Sequence, residues 1–205
     1  MGRNSDAPQE PARRAVVRAV LAYPAFQLLS AVGVGSETRT RLEPTPACGA
    51  DEAPTPSQTA GPFFKPDSPH RTSLVEPSLA GTRLVVDGLV LSTECTPIAN
   101  ALLDFWHTDD EGDYDLSGYR LRGHQFSDAA GRFRLETIVP GAYSGRTRHI
   151  HVRVQPRGGR ILTTQLYFPG EARNETDGIF SPRLLMDVSA AGSGRRASFD
   201  FVLEA

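Results

Sequence analysis

Cysteine is scarce in this chain: there are two in 205 residues, with one tryptophan and two methionines. No Cys-x-x-Cys pair occurs, which disfavours zinc fingers and thioredoxin-type centres, because both need two thiolates at short spacing. Cys48 and Cys95 can form one disulfide in an exported protein or stay as two structural thiols, and spacing does not choose between them. Neither sign of charge is in excess. Lys+Arg number 22 against 24 Asp+Glu, a net charge of −2, and that balance argues against a nucleic-acid partner, which needs a clustered basic surface. No serine sits in a Gly-x-Ser-x-Gly elbow, so a serine hydrolase has little support. Internal repeats are missing, and so is long helical periodicity after residue 36.

The N-terminal stretch has a texture of its own. Arg13 and Arg14 are adjacent and Arg18 follows. From Ala19 to Ser36 no charge appears, and small residues stand at Ala31, Gly33 and Gly35. A basic start, an apolar run and small residues outline an export signal, and the paired arginines suggest the twin-arginine route. We therefore expect residues 1–36 to direct export to the periplasm or beyond, rather than cytoplasmic retention. The alternative is an N-terminal helix that packs on the domain. The uncharged run only just reaches spanning length and contains Pro24, so no membrane span is expected. Residues 37–58, rich in Pro, Thr, Glu and Ala, read as a linker or extended arm.

From residue 59 to 205 the chain is long enough for one domain with a real core. Short apolar runs recur at 84–91, 101–107, 132–138, 148–154, 162–168 and 198–203, several alternating with period two. Turn signals separate them, in keeping with the 19 glycines and 16 prolines. The pattern reads as an all-β sandwich. Gly158-Gly159 marks a hairpin that makes the Gln165 strand a neighbour of the His149 strand. Arg157-Gly-Gly-Arg160 could contact phosphate or RNA, but a solvated hairpin turn accounts for it more simply.

His149 and His151 lie two residues apart on a predicted strand, so both imidazoles project from one face while Ile150, Val152 and Val154 face the core. Two imidazoles make half of a metal site and suit several metals. His70, His107 and His124 have no ligand spacing and read as loop or surface residues. Of the five tyrosines, all but Tyr23 lie in the stretches that flank the histidine pair: Tyr114, Tyr119, Tyr143 and Tyr167. Ordinary sandwich packing would explain them. Phenolate ligation is the sharper reading, because a phenolate is a hard anionic oxygen that favours a trivalent ion.

Five segments in order carry a resemblance: Thr55–Phe64 (TPSQTAGPFF), Asp104–Tyr114 (DFWHTDDEGDY), Thr137–Tyr143 (TIVPGAY), Arg146–His151 (RTRHIH) and Leu162–Gly170 (LTTQLYFPG). Together they resemble the intradiol ring-cleavage dioxygenases, in particular the protocatechuate 3,4-dioxygenase-like branch. No long helical domain precedes the sandwich, a point away from the catechol 1,2-dioxygenase branch. The resemblance implies a prealbumin-like β-sandwich holding one non-haem Fe(III) through Tyr114, Tyr143, His149 and His151. Tyr119 is a rival to Tyr114 but lacks the acidic-Gly context before it.

By the same resemblance, Arg146 is the active-site arginine and Gln165 its glutamine neighbour, and Tyr143 is the ligand that leaves to accept a substrate proton. The partners implied are a catechol-type substrate and O2, and the product is a cis,cis-muconate-type diacid. Family members form homo- and hetero-oligomers. Two other readings stay open at this point. One is a non-catalytic transthyretin-like binding module that retains the metal site. The other is a ferrous extradiol-type centre in which Asp104, Asp109 or Asp110 joins the two histidines.

Overall fold

A computed structural model describes residues 53–204. The expected export segment, most of the arm and Cys48 lie outside the described residues. The described chain forms nine strands: β1 Arg83–Ser92, β2 Leu102–Trp106, β3 Arg122–Phe126, β4 Arg132–Ile138, β5 His149–Gln155, β6 Leu162–Tyr167, β7 Asp187–Ala191, β8 Gly194–Ser198 and β9 Phe201–Leu203. They build two sheets. One runs β4-β1-β8-β7 with β9 also paired to β1, and the other runs β3-β2-β5-β6. The all-β sandwich is the observed architecture. No helix among the described residues is long and apolar enough to cross a membrane.

Period-two alternation builds the core. Leu103 and Phe105 of β2, Ile150, Val152 and Val154 of β5 and Leu166 of β6 face Val86 and Val90 of β1, Phe133 and Leu135 of β4 and Phe201 of β9. Phe105 and Phe133 meet across the layers with ring centroids 5.9 Å apart. Burying each such side chain contributes roughly 1.5–3 kcal/mol. The alternate residues of β2, β5 and β6 therefore point away from the core, and they carry the polar chemistry described below.

The differences from expectation are local. The run 198–203 is split: β8 ends at Ser198, β9 begins at Phe201, and the Asp200 carboxylate between them accepts a hydrogen bond from Leu89 N–H at 2.8 Å. β3, β7 and β8 have no apolar alternation to announce them. Arg157–Arg160 is indeed a turn, with Gly158 at φ +72° and Gly159 N–H donating to the Pro156 carbonyl at 3.0 Å.

A strap of chain from Thr55 to Leu74 crosses the outer face of the β3-β2-β5-β6 sheet. It starts at the β6 edge, where Gln58 N–H donates to Thr163 O at 2.7 Å, and reaches the β3 edge, where His124 N–H donates to Pro69 O at 3.0 Å. An unprotected sheet edge invites foreign strands. Here the strap occupies both edges and roofs the face between them.

Candidate metal centre and its surroundings

Strand register sets the site out in rows. On the outer face of the second sheet, His151 pairs with Trp106 on one side and Gln165 on the other, and His149 pairs with Tyr167. The His149 and His151 Nε2 atoms lie 3.1 Å apart. His149 Nδ1–H donates to the Thr147 carbonyl at 2.7 Å, which fixes the tautomer and leaves the Nε2 lone pair bare. Both rings are buried. Burial pushes the His149 pKa down to about 4 and that of His151 well below its ordinary value, with the neighbouring His149 adding to the effect. Both imidazoles are therefore neutral at pH 7, the state in which a metal can bind them.

Aromatic packing holds His151 in place. The Trp106 ring lies on it with centroids 4.9 Å apart and planes within 3°. Gly61 of the strap sits at its edge in the left-handed region, with φ +65°, where an added Cβ would stand 3.4 Å from His151 Cε1. His151 Nδ1 has no hydrogen-bond partner among the described residues.

The two tyrosines of the expected ligand set come from two interlocked turns. Gly112 precedes Tyr114 by two residues, and Gly141 precedes Tyr143 by two. A Cβ on Gly112 would lie 2.3 Å from Ala142 O, and one on Gly141 would lie 2.3 Å from Gly112 N. Only a pair of glycines lets the turns approach this closely. Gly141 N–H donates to Asp109 O at 2.6 Å, and Thr108 Oγ1 donates to Gly141 O at 3.0 Å. The result is one connected group of rings. Tyr114 and Tyr143 centroids are 5.5 Å apart, Tyr114 and His151 6.4 Å, and His149 and His151 4.7 Å.

The two phenols differ in how firmly they are held. Tyr114 stacks on Phe63 at 4.5 Å, with the Arg122 guanidinium 5.8 Å from its centroid. Burial pushes its hydroxyl well above the ordinary phenol range, against the pull of Arg122 and Arg146. Among the described residues Tyr143 makes only edge-on ring contacts, to Phe63 at 5.3 Å and to Tyr114. Its turn continues into exposed Ser144 and Gly145, both at positive φ. The rival Tyr119 lies elsewhere: its hydroxyl donates to Pro66 O at 3.0 Å, and Lys65 Nζ sits 4.4 Å over its ring.

Beside the rings stands a charged network. Arg146 Nη2 donates to Gln165 Oε1 at 2.7 Å and to the Tyr167 hydroxyl at 3.2 Å, and Arg146 Nε donates to Asp177 Oδ2 at 2.8 Å. Gln165 is fully buried, and its Nε2 donates to Thr59 O of the strap at 3.0 Å. Asp177, Trp106, Phe63 and Arg122 were not singled out by sequence. For Trp106 the period-two pattern of β2 held the signal; Asp177 sits in an irregular loop and left none.

His124 is a correction, since it lies half-buried on strand β3; His107 is a second, a loop residue just after β2 that is not at the surface but 1% exposed. Its Nδ1–H donates to Thr108 O at 2.6 Å, and its Nε2 accepts from Thr137 Oγ1, also at 2.6 Å. It thereby ties the start of the Tyr114 turn to the strand that leads into the Tyr143 turn. Burial lowers its pKa from 6.5 to about 4. As pH falls, the unfolded chain therefore takes up this proton first. The associated stability is present above pH 6.5 and is lost between 6.5 and 4. In the metal-free protein, urea unfolding at pH 7 and pH 4 is expected to show His107→Gln losing less stability over this interval than wild type. The difference should be on the order of 3 kcal/mol; equal losses would remove His107 as the titrating group.

The donor set fits a metal. Two nitrogens at about 2.0–2.1 Å from one ion at right angles stand about 3.0 Å apart, and the observed Nε2 separation is 3.1 Å. No carboxylate joins the two histidines in a three-ligand group among the described residues. Asp104 Oδ1 accepts from Ser68 Oγ at 2.7 Å, and Asp109 pairs with Arg120 at 3.0 Å. The extradiol-type ligand set is therefore not assembled. The rings of Tyr114 and Tyr143 are the other donors gathered beside the histidine pair.

A family model described as Dioxygenase matches residues 59–205. Chlorocatechol 1,2-dioxygenase of Rhodococcus opacus is 31% identical over 153 residues, covering 60% of this chain and 60% of the relative. The protocatechuate 3,4-dioxygenase beta chain of Burkholderia cepacia is 33% identical over 152 residues, covering 60% of this chain and 65% of the relative. The chain thus spans about 60% of the length of the chlorocatechol relative it matches. Among solved structures, one similar fold is the dioxygenase domain of a dioxygenase carbohydrate-binding protein fusion from the cellulolytic bacterium Streptomyces sp. SirexAA-E. It is 58% identical with a TM-score of 0.73, and the match covers 75% of this chain and 99% of that one.

Proposed function

The chain belongs to the intradiol ring-cleavage dioxygenase family, and from that membership we propose that it cleaves a catechol-type ring between its two hydroxyl-bearing carbons. Both atoms of O2 enter the product, a cis,cis-muconate-type diacid. One O2 added to one catechol balances the reaction, so no electron donor is required. The observation that carries this reading is the gathering of His149, His151, Tyr114 and Tyr143 into one ring group beside Arg146 and Gln165.

Those four side chains would hold non-haem Fe(III). Two phenolates favour a trivalent over a divalent ion. A phenol as buried as Tyr114 ionises only where a strong cation offsets the cost. When bound, ferric iron supplies the Lewis acidity that lets a catechol bind as its dianion and react with O2.

The protein's own groups do the rest. Tyr143, edge-packed and leading into an exposed turn, is the ligand whose phenolate would be free to take a proton from a substrate hydroxyl and leave as the phenol. Tyr114, clamped by Phe63 and Arg122, stays in place. Arg146 offers a fixed guanidinium to the negative charge that grows on the substrate as the ring loses aromaticity. Gln165 steadies Arg146 through its carbonyl oxygen while its amide is committed to the strap. Phe63, Phe64 and Trp106 form an apolar roof that limits water; Phe64 packs edge-on against Trp106 at 5.0 Å.

We also propose that the protein works in an oxidising compartment. That reading is supported by Cys95, which is disulfide-bonded, since disulfides persist where the surroundings are oxidising.

The test is oxygen uptake by the iron-loaded protein over catechol, protocatechuate, hydroxyquinol and chlorinated catechols. Uptake with at least one is expected, from a preparation coloured by tyrosinate-to-iron charge transfer. A coloured protein that consumes no oxygen with any of them, or with larger catechols, would be the non-catalytic binding module instead. A preparation that stays colourless after iron loading would remove the ligand set itself.

A further inference from the structure

The segment after β6 approaches the site without contributing to the expected ligand or substrate groups. It runs through a short 3-10 turn, Ala172–Glu175, to Asp177 and Ile179. It is stitched to the chain around Arg146 at two points. Thr147 Oγ1 donates to Asn174 Oδ1 at 2.7 Å, and Thr147 N–H donates to Asp177 Oδ2 at 3.0 Å.

Asp177 is the more informative of the two. Its side chain is 1% exposed, against 24% for the Arg146 side chain that it pairs with. Its Oδ2 accepts from both Arg146 Nε and Thr147 N–H, and its Oδ1 accepts from Ile179 N–H at 3.2 Å. Burial works to raise the pKa of this carboxyl, but the bonds from Thr147 and Arg146 outweigh it and hold the group below its usual range. A carboxylate fixed by two backbone N–H groups is a rigid partner.

A guanidinium has five N–H donors in one plane. Asp177, Gln165 and Tyr167 take three of them: Nε–H and both hydrogens of Nη2. Among the described residues, the Nη1 group alone has no bond assigned to it. With two sides of the plane pinned, rotation about the last side-chain bonds is blocked, and Nη1 has a fixed direction.

We infer that Asp177 is a positioning residue for Arg146, locking its guanidinium so that Nη1 remains the donor committed to the anionic substrate. The inference rests on the intradiol reading above. Asp177 touches no reacting atom and acts through Arg146. A loop-capping role alone would make no use of the bond to Nε, and it would show as lost stability or lost iron rather than as a change in turnover.

The iron-loaded full chain tests this. Asp177→Ala is expected to lower kcat about 10–100-fold, the scale of a small misplacement of a substrate-facing group. KM should change by less than about threefold, with iron content and visible band retained. Asp177→Asn keeps a carbonyl oxygen for Arg146 Nε and Thr147 N–H, and should recover most of the rate. The double variant Arg146→Ala/Asp177→Ala should be no slower than Arg146→Ala, because a residue acting through another adds nothing once its partner is gone. Independent losses that multiply in the double variant, or loss of the band in Asp177→Ala, would overturn the inference.

A second readout does not depend on turnover. In protein loaded with diamagnetic gallium(III), the Arg146 Nε–H should exchange slowly in wild type and Asp177→Asn, and rapidly in Asp177→Ala. Rapid exchange in wild type would overturn the lock whatever the protein oxidises. If the signal behaves as expected and no catechol is consumed, it is the catalytic reading that fails.

Discussion

Replacing His149 with alanine is expected to yield a folded protein that no longer retains iron, is colourless and consumes no oxygen. His149 is the donor most firmly prepared for a metal. Its Nδ1–H is committed to Thr147 O at 2.7 Å, its ring is buried, and among the described residues its Nε2 faces only His151 Nε2. Loss of an outer partner to a metal-bound histidine costs roughly 10–100-fold in affinity, and loss of the ligand itself should cost more. The fold should survive, because Ile150 and Val152 on the other face of β5 keep their places in the core. Iron quantitation, visible absorbance and circular dichroism check the three parts. A His149→Ala protein that holds one iron per chain with an unchanged band would remove His149 from the ligand set.

Arg146→Ala makes the second large change, and of a different kind. Iron content and colour should persist, since the arginine lies beside the rings rather than among them, while kcat should fall by roughly 10²–10³, the range measured when a fixed donor to developing charge is removed. Arg146→Lys should recover little. An ammonium cannot reproduce the planar fork that bonds Asp177, Gln165 and Tyr167 together. Steady-state oxygen uptake and anaerobic titration with a catechol separate the two steps. A kcat near wild type with only weakened binding would make Arg146 a binding group and not a stabiliser of charge.

These expectations show which parts of the site the sequence could reveal. The β5–β6 hairpin was legible because strict alternation and a Gly-Gly turn leave one register, and that register puts His151 beside Gln165. The tyrosine turns were legible through their glycines, though their mutual clamp at Gly112 and Gly141 is a contact between segments that no local pattern encodes. β3 was not legible. Its residues, Arg-Gly-His-Gln-Phe, cover an edge and are held by the strap, so tertiary pairing overrides a composition that favours no strand. His107 misled for a related reason: an isolated histidine carries no sign of burial, and only the folded structure supplies Thr108 O and Thr137 Oγ1 as partners. Asp177 lies outside every motif, seven residues past the last of them, and reaches Arg146 through loop geometry alone.

The most direct test of the central claim is the fate of labelled oxygen. Iron-loaded protein and a catechol that supports uptake, reacted under doubly labelled O2, should give a ring-opened diacid carrying two labelled oxygens, with the ring cut between the hydroxyl-bearing carbons. A semialdehyde product cut beside that bond, or a diacid that draws its new oxygens from water, would contradict the account.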